Sequence, residues 1–407
     1  MKKVMLFLVV LGLVVGLAQA QTPQVRLVWE KNYRGEVGHF ALDVVNNRPV
    51  AVIGYAGSAR MIDEAGREIT LPNMQGFAQV HLSPKGRYAI GRKREPGKSG
   101  IRALGRNGWV GSFHQDDDPY LNPASFLITE DGERMAAVKG GRQGSGDNIW
   151  SAPDDTVFLF NRSGSIVASI AAPYLRSMVF SEKDHRLYLV QQPFVVQGKD
   201  RGRAAAYQES VLKCYDQNGR LLWREGSPVR PWESSHTGYL AVDSLGRLCH
   251  VVWSDHQAGY AVAFYDLIGR REAEVRLPSP SDSSLSDYDY RSRGNMLHVS
   301  LDGKRAVFSA NASIYMTGRD SAKVLWEYHE SGGIGAPVLF EDGMSVVEVA
   351  EGGPYRRGKS HICLLDTTGR KVWLSKEGFT STDLKSCGKW FLTRLDSSTF
   401  RLFEISK

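Results

Sequence analysis

Two kinds of turn alternate along this chain, each set between short β-rich runs, and no other feature limits the possible fold as much. The first kind places a small or polar residue before an Asp-Gly, Lys-Gly or related pair and then an apolar run. It occurs in HLSPKGRYAI (81–90), ITEDGERMAAV (128–138), FSEKDHRLYLV (180–190), AVDSLGRLCHVVW (241–253), VSLDGKRAVFSA (299–310) and VLFEDGMSVVEVA (338–350), with a weaker copy in KSCGKWFLTRL (385–395). The second kind reads apolar-apolar-Asp-x-x-Gly. It occurs in MIDEAGREI (61–69), LFNRSGSIV (159–167), CYDQNGRLLW (214–223), FYDLIGRREAEV (264–275) and LLDTTGRKVWL (364–374), and more loosely in RALGRNGWVG (102–111). In both, Asp, Asn or Ser caps the turn through its side chain and the glycine accepts a left-handed backbone, so each turn joins two antiparallel strands.

Alternating two hairpins makes a four-stranded unit. Gly164, Gly219, Gly269 and Gly369 end successive second turns, with one degenerate unit (YMTGRDSAKVLW, 315–326) between the last two. The period is about 50 residues, the length of a four-stranded propeller blade. Alternation with period two inside the runs, and the lack of any sustained 3.6-residue pattern, exclude helical repeats. The expected fold is therefore all-β: a single β-propeller.

The chain ends specify how the ring closes. The fourth strand of a unit often finishes in an apolar-Trp pair, as in LLW (221–223) and VLW (324–326). RLVWEKN (26–32) is the same element with no first three strands before it, and the C-terminal stretch from Thr380 to Ile405 holds three strands and no fourth. Pairing them completes a composite blade and removes the open sheet edges. The count is then eight blades, with seven as the alternative.

The Gly-Arg-Leu-Leu-Trp element and its relatives resemble PQQ-like (quinoprotein-type) propeller repeats. The LDGKRAVF copy is similar to TolB/WD40-type repeats, and GYLAVDSLGRLCHVV (238–252) resembles an NHL blade. The resemblance implies the fold and leaves the function open. A quinone cofactor is not carried over, because neither an adjacent cysteine pair nor a set of cofactor ligands accompanies the repeats.

Residues 1–20 read as a bacterial export signal. Lys2 and Lys3 precede an uncharged apolar run from Val4 to Leu17, and Ala18-Gln19-Ala20 has the small-x-small pattern of a cleavage site. That run is short for a transmembrane helix, which needs about 20 residues, and no later segment is a candidate span. Residues 21–407 are then one propeller domain of a periplasmic or extracellular protein, expected to be a monomer. The net charge is +7, or +5 once Lys2 and Lys3 are set aside, too mild a surplus to point to nucleic acid. Cys214, Cys249, Cys363 and Cys387 permit two disulfides in an oxidising compartment, by adjacency Cys214–Cys249 and Cys363–Cys387, or four buried thiols.

Four long insertions fall between expected second and third strands: 91–100, 139–156, 191–210 and 350–360. In a propeller these connections share one face. They carry Arg92, Lys93, Arg94 and Lys98; Lys199, Arg201 and Arg203; and Arg356, Arg357 and Lys359, interleaved with Trp150, Phe194, Tyr207 and Tyr355. This pattern suits an acidic partner, either a protein surface or a polysaccharide. Asp116, Asp117 and Asp118 form an acidic run that offers oxygen ligands to calcium without matching a defined calcium loop. No other cofactor is expected. His39 and His236 stand just before first strands, at the mouth of the channel.

No GxSxG, HExxH or phosphate-cradling GxxxxGK[ST] motif is present. The expected function is a non-catalytic binding or scaffold protein of the cell envelope. The alternative is an exported enzyme, a glycan hydrolase or lyase or an oxidoreductase, using His39, His236 and the Asp116–Asp118 run.

Overall fold

The computed structural model describes residues 23–33, 37–55, 58–70, 77–95, 98–106, 110–114, 121–139, 155–173, 175–191, 208–229, 239–254, 259–278, 296–310, 312–330, 333–350, 359–378, 383–396 and 398–406. These residues form 32 strands and no helix. The strand β1 (Gln24–Asn32) comes first. Blade 1 is β2 (Val37–Val45), β3 (Arg48–Tyr55), β4 (Ser58–Ile62) and β5 (Glu68–Thr70). Blade 2 is β6 (Phe77–Leu82), β7 (Tyr88–Glu95), β8 (Lys98–Gly105) and β9 (Val110–His114). Blade 3 is β10 (Leu121–Ile128), β11 (Arg134–Lys139), β12 (Thr156–Asn161) and β13 (Ile166–Ala171). Blade 4 is β14 (Leu175–Phe180), β15 (Leu187–Gln191), β16 (Gln208–Tyr215) and β17 (Leu221–Val229).

Blade 5 is β18 (Leu240–Val242), β19 (Leu248–Ser254), β20 (Gly259–Tyr265) and β21 (Arg271–Arg276). Blade 6 is β22 (Leu297–Val299), β23 (Arg305–Ala310), β24 (Ser313–Gly318) and β25 (Lys323–His329). Blade 7 is β26 (Val338–Leu339), β27 (Ser345–Ala350), β28 (Ser360–Leu365) and β29 (Lys371–Leu374). Blade 8 is β30 (Asp383–Cys387), β31 (Trp390–Arg394) and β32 (Thr399–Ser406), completed by β1.

The ring closes as the chain ends imply. β1 pairs antiparallel with β32 from Gln24 opposite Ser406 to Asn32 opposite Thr399, with a bulge between Leu27 and Trp29. Each first strand touches the first strand of the next blade, and β30 touches β2, so eight inner strands surround one channel. The count is eight, not seven.

The turn chemistry explains the local structure. In the second turns Asp63, Asp216, Asp266 and Asp366 accept the backbone N–H four residues on, at 2.8–3.0 Å. Three of the arginines at that position return an Nε–H to the same carboxylate, Arg67 at 2.7 Å, Arg270 at 3.1 Å and Arg370 at 3.0 Å. In the degenerate unit Ala322 takes the glycine's place with φ 48°.

Side chains alternate between the two sides of every blade, and both sides are buried against neighbouring blades. The core is therefore a series of seams rather than one centre. Blades 8 and 1 meet through Trp29, Phe40, Leu42, Ile53, Phe400 and Leu402. Blades 5 and 6 meet through Val251, Phe264, Phe308 and Tyr315.

All four cysteines are free thiols. The adjacency pairings fail because alternation sends the partners into different seams. Cys214 lies in the seam of blades 4 and 5 and Cys249 in that of blades 5 and 6. Cys363 lies between blades 6 and 7, while Cys387 packs against the seam of blades 8 and 1.

Candidate functional site

The two faces of the ring are built differently. On one face the first turns of successive blades are tied together. Arg87 Nε lies 3.2 Å from Asp43 Oδ2, joining blades 1 and 2. The Lys85 N–H donates to Glu130 Oε1, joining blades 2 and 3. The Glu130 N–H donates to Glu182 Oε2 at 2.7 Å, and His185 Nε2 lies 2.7 Å from Asp131 Oδ2, joining blades 3 and 4. The Tyr188 hydroxyl donates to Gly246 O at 2.7 Å, and the Ser244 hydroxyl to Leu301 O at 2.6 Å. These contacts carry the chain of ties through blades 5 and 6.

A cleft of about 590 Å³ opens on this turn face, lined by Asp43, Val45, Arg87, Tyr88, Arg106, Glu130, Asp131 and Glu182. Its polar groups are largely committed to each other. Asp43 is 1% exposed, and its Oδ2, already beside Arg87, also lies 3.5 Å from Arg106 Nη2. Arg106 also donates to Gly86 O at 2.9 Å and Lys85 O at 2.6 Å. Desolvation, together with the charges of Glu130 and Asp131, pushes the Glu182 carboxyl up to about 7. Desolvation raises Glu130 as well. The arrangement can take up a proton near neutrality, but its geometry is that of a strut between blades 1 to 4. The sequence reading did not single these residues out. The signal available was that Glu130 and Glu182 stand at the same place in two first turns, TEDGER and SEKDHR.

The opposite face carries the connections between second and third strands, where the four insertions fall. Segments 139–156, 191–210 and 350–360 connect β11 to β12, β15 to β16 and β27 to β28. The segment 91–100 differs from the expected loop. β7 and β8 continue through it, with Lys93 opposite Gly100, Arg94 opposite Ser99 and Glu95 opposite Lys98. A prolonged ladder satisfies the backbone groups that a loop would leave to water. Arg92, Lys93 and Arg94 are thus strand residues of β7, and Lys98 opens β8.

Lys359 is exposed just before β28 and lies against Gly378. Arg201, Arg203, Arg356, Arg357, His236, Asp116, Asp117 and Asp118 lie outside the described residues. His39 is exposed on the inner strand β2, and its ring lies tilted by 36° against that of His81 in blade 2, with the centroids 4.0 Å apart. His81 in turn meets the edge of Phe126 in blade 3 at 5.6 Å. Among the described residues no group of three or more His, Cys, Asp or Glu side chains is disposed to hold a metal ion.

No family model matches the chain, and no curated protein matches it in sequence. Solved structures match it in fold. BamB from Moraxella catarrhalis superposes with a TM-score of 0.54 and 14% identity, covering 94% of this chain and 100% of that one. The Dos1 propeller superposes with a TM-score of 0.56 and 9% identity, covering 93% and 95%. At such identities the likeness is one of architecture: the structural neighbours of this chain are β-propellers.

Proposed function

We propose that this chain is an exported, non-catalytic binding or scaffold propeller of the bacterial cell envelope, and that it captures an acidic protein or polysaccharide on the face of the second-to-third-strand connections. The observation that supports this most is the contrast between the two faces. On the turn face, short hairpins spend their polar groups on holding neighbouring blades together. The other face receives the long connections; clustered Arg and Lys residues fall in segments 191–210 and 350–360 and on the prolonged β7–β8 ladder of segment 91–100. Closure of the ring by β1 supplies a rigid platform without an open sheet edge. The propeller neighbours support the fold of that platform, and export rests on residues 1–20.

The test is retention on an immobilised uronate polysaccharide and on an immobilised acidic protein over a salt gradient. Alanine at Arg92, Lys93, Arg94, Arg356 and Arg357 should abolish retention that the native chain loses only with rising salt. Native retention on neither matrix, or equal retention of the variant, overturns the proposal.

A further inference from the structure

We infer that the turn face over blades 4 to 6 seats on an anionic lipid bilayer. Most tight turns of this face carry polar residues at their exposed tips, as Gln217 and Asn218 do in blade 4 and Glu341, Asp342, Thr367 and Thr368 in blade 7. Blades 5 and 6 differ. Their tips carry Leu245, Leu267, Ile268 and Leu301, with exposures from 38% at Leu267 to 72% at Ile268. Among the described turns no other places Leu or Ile at its tip. The four lie together. A Cβ on Gly246 would lie 3.5 Å from Leu267 Cδ2, and the Ser244 N–H donates to Leu301 O at 3.1 Å. Leu245, between Ser244 and Gly246, therefore has an apolar tip on either side. A contiguous exposed apolar patch of this kind marks a surface that meets something other than water.

The hydrogen bonding of these tips suits hydrocarbon. The Leu245 N–H donates to Asp243 Oδ1 at 2.9 Å and the Ile268 N–H to Asp266 Oδ1 at 3.0 Å. Leu301 O accepts the Ser244 hydroxyl at 2.6 Å as well as its N–H, and Leu267 O accepts from Arg186 Nη1. A backbone group without a partner would bar a turn tip from lipid, where no water replaces it. A peptide laid along a sheet edge would need such groups open, and here they are taken. The patch is aliphatic, without the Trp and Tyr anchors that dominate protein interfaces.

The charges beside the patch select the lipid. Its acids serve the turns themselves: Asp243 pairs with Arg247 at 2.7 Å and Asp266 with Arg270 at 3.1 Å. Asp302 accepts the Ser300 hydroxyl at 2.6 Å and the Lys304 N–H at 3.0 Å. Lys183 in the first turn of blade 4, and Lys304 and Arg305 in that of blade 6, are exposed and make no salt bridge among the described residues. Each cation beside an anionic leaflet adds attraction that fades within a Debye length. Asp302 offsets part of this surplus, so insertion of the aliphatic tips carries the affinity and the cations set the preference for anionic headgroups. Seated in this way, the ring turns its loop face away from the membrane.

The experiment sediments the chain from residue 21 onward, without the apolar run Val4 to Leu17, with vesicles of phosphatidylcholine alone or with an equal part of phosphatidylglycerol. Binding to the mixed vesicles, weaker to phosphatidylcholine and weakened by salt, is expected. Ile268→Ser with Leu301→Ser should lower the affinity roughly tenfold or more. Gln at Lys183, Lys304 and Arg305 should lower it about tenfold for the mixed vesicles and leave phosphatidylcholine binding unchanged. These side chains are exposed, and unchanged thermal unfolding would confirm the fold of each variant. Ile268→Trp should add fluorescence that brominated phosphatidylcholine quenches beyond that of the native chain. Absence of native binding, equal binding by either variant, or an unquenched Trp at 268 overturns the inference. Self-association through the same residues without vesicle binding overturns it in favour of a second copy. The alanine variant at Arg92, Lys93, Arg94, Arg356 and Arg357 should sediment as the native chain does. Loss there would also overturn it, by moving the contact to the loop face, whereas failure of polysaccharide and protein retention alone leaves the membrane contact standing.

Discussion

Gly269 in the second turn of blade 5 sits directly on the indole of Trp223 in the fourth strand of blade 4. A Cβ placed on Gly269 would lie 2.3 Å from Trp223 Cδ2. The contact repeats around the ring. Gly369 of blade 7 lies over Trp326 of blade 6, with 2.8 Å from its would-be Cβ to Cδ2, and Gly66 of blade 1 lies against Trp29 of blade 8, its would-be Cβ 3.5 Å from the Trp29 Cβ and 3.6 Å from Cγ. The tryptophan of one blade is thus roofed by the turn glycine of the next.

Graded costs follow from these distances. Gly269 has φ 82°, so Gly269→Ala combines a left-handed backbone with a collision against a rigid ring, and should cost about 2–4 kcal/mol. At Gly66, with φ 75°, the contact is ordinary, and Gly66→Ala should cost only about 1–2 kcal/mol. Denaturant unfolding of both variants checks the order.

Trp29 is the point where the closing strand meets the first blade. It is 8% exposed and packs with Tyr33, Phe40, Ile62 and Phe400. Trp29→Ala should cost about 3–5 kcal/mol. Because it loosens β1 on β32, it should also speed hydrogen exchange in β32 before other blades, which exchange followed by mass spectrometry resolves.

The Glu182 carboxyl is raised to about 7 by desolvation and its acidic neighbours. A carboxyl raised on folding favours the folded state while protonated. Its contribution is complete below the ordinary value of 4.5 and is lost as pH rises through about 7. Glu182→Gln should therefore change stability little at pH 4.5 and increase it at pH 8. Melting temperatures across that window test the sign.

His250 behaves in the opposite sense. It is 1% exposed, neither ring nitrogen has a hydrogen-bond partner in the structure, and burial with the charge of Arg271 lowers its pKa to about 3. A histidine held neutral by folding contributes stability above its ordinary value of 6.5 that is lost as pH falls through the folded value. His250→Leu should match or exceed the native stability at pH 7 and flatten the decline between pH 6.5 and 3.

The free thiols predict indifference to reductant. Burial raises Cys214 and Cys363 to about 12 and raises Cys249 and Cys387 as well, so all four are poor nucleophiles. Unfolding midpoints with and without a reducing agent should coincide, and alkylation of the folded chain should be slow. A midpoint lowered by reductant would mean that a disulfide had been cleaved.

The sequence by itself determined the four-stranded repeat, the alternation of hairpins and the closing partner of RLVWEKN, because these rest on local rules, while the choice of eight blades over seven came from the structure. An Asp, a glycine and a two-residue alternation specify a hairpin wherever they occur, and a unit lacking one strand must find it at the other end of the chain. Only the tertiary structure decided which residues from different blades meet. Neighbouring turns are separated by dozens of residues, so no spacing announces that Glu130 accepts the Lys85 N–H, that Trp223 lies beneath Gly269, or that Cys214 and Cys249 enter separate seams.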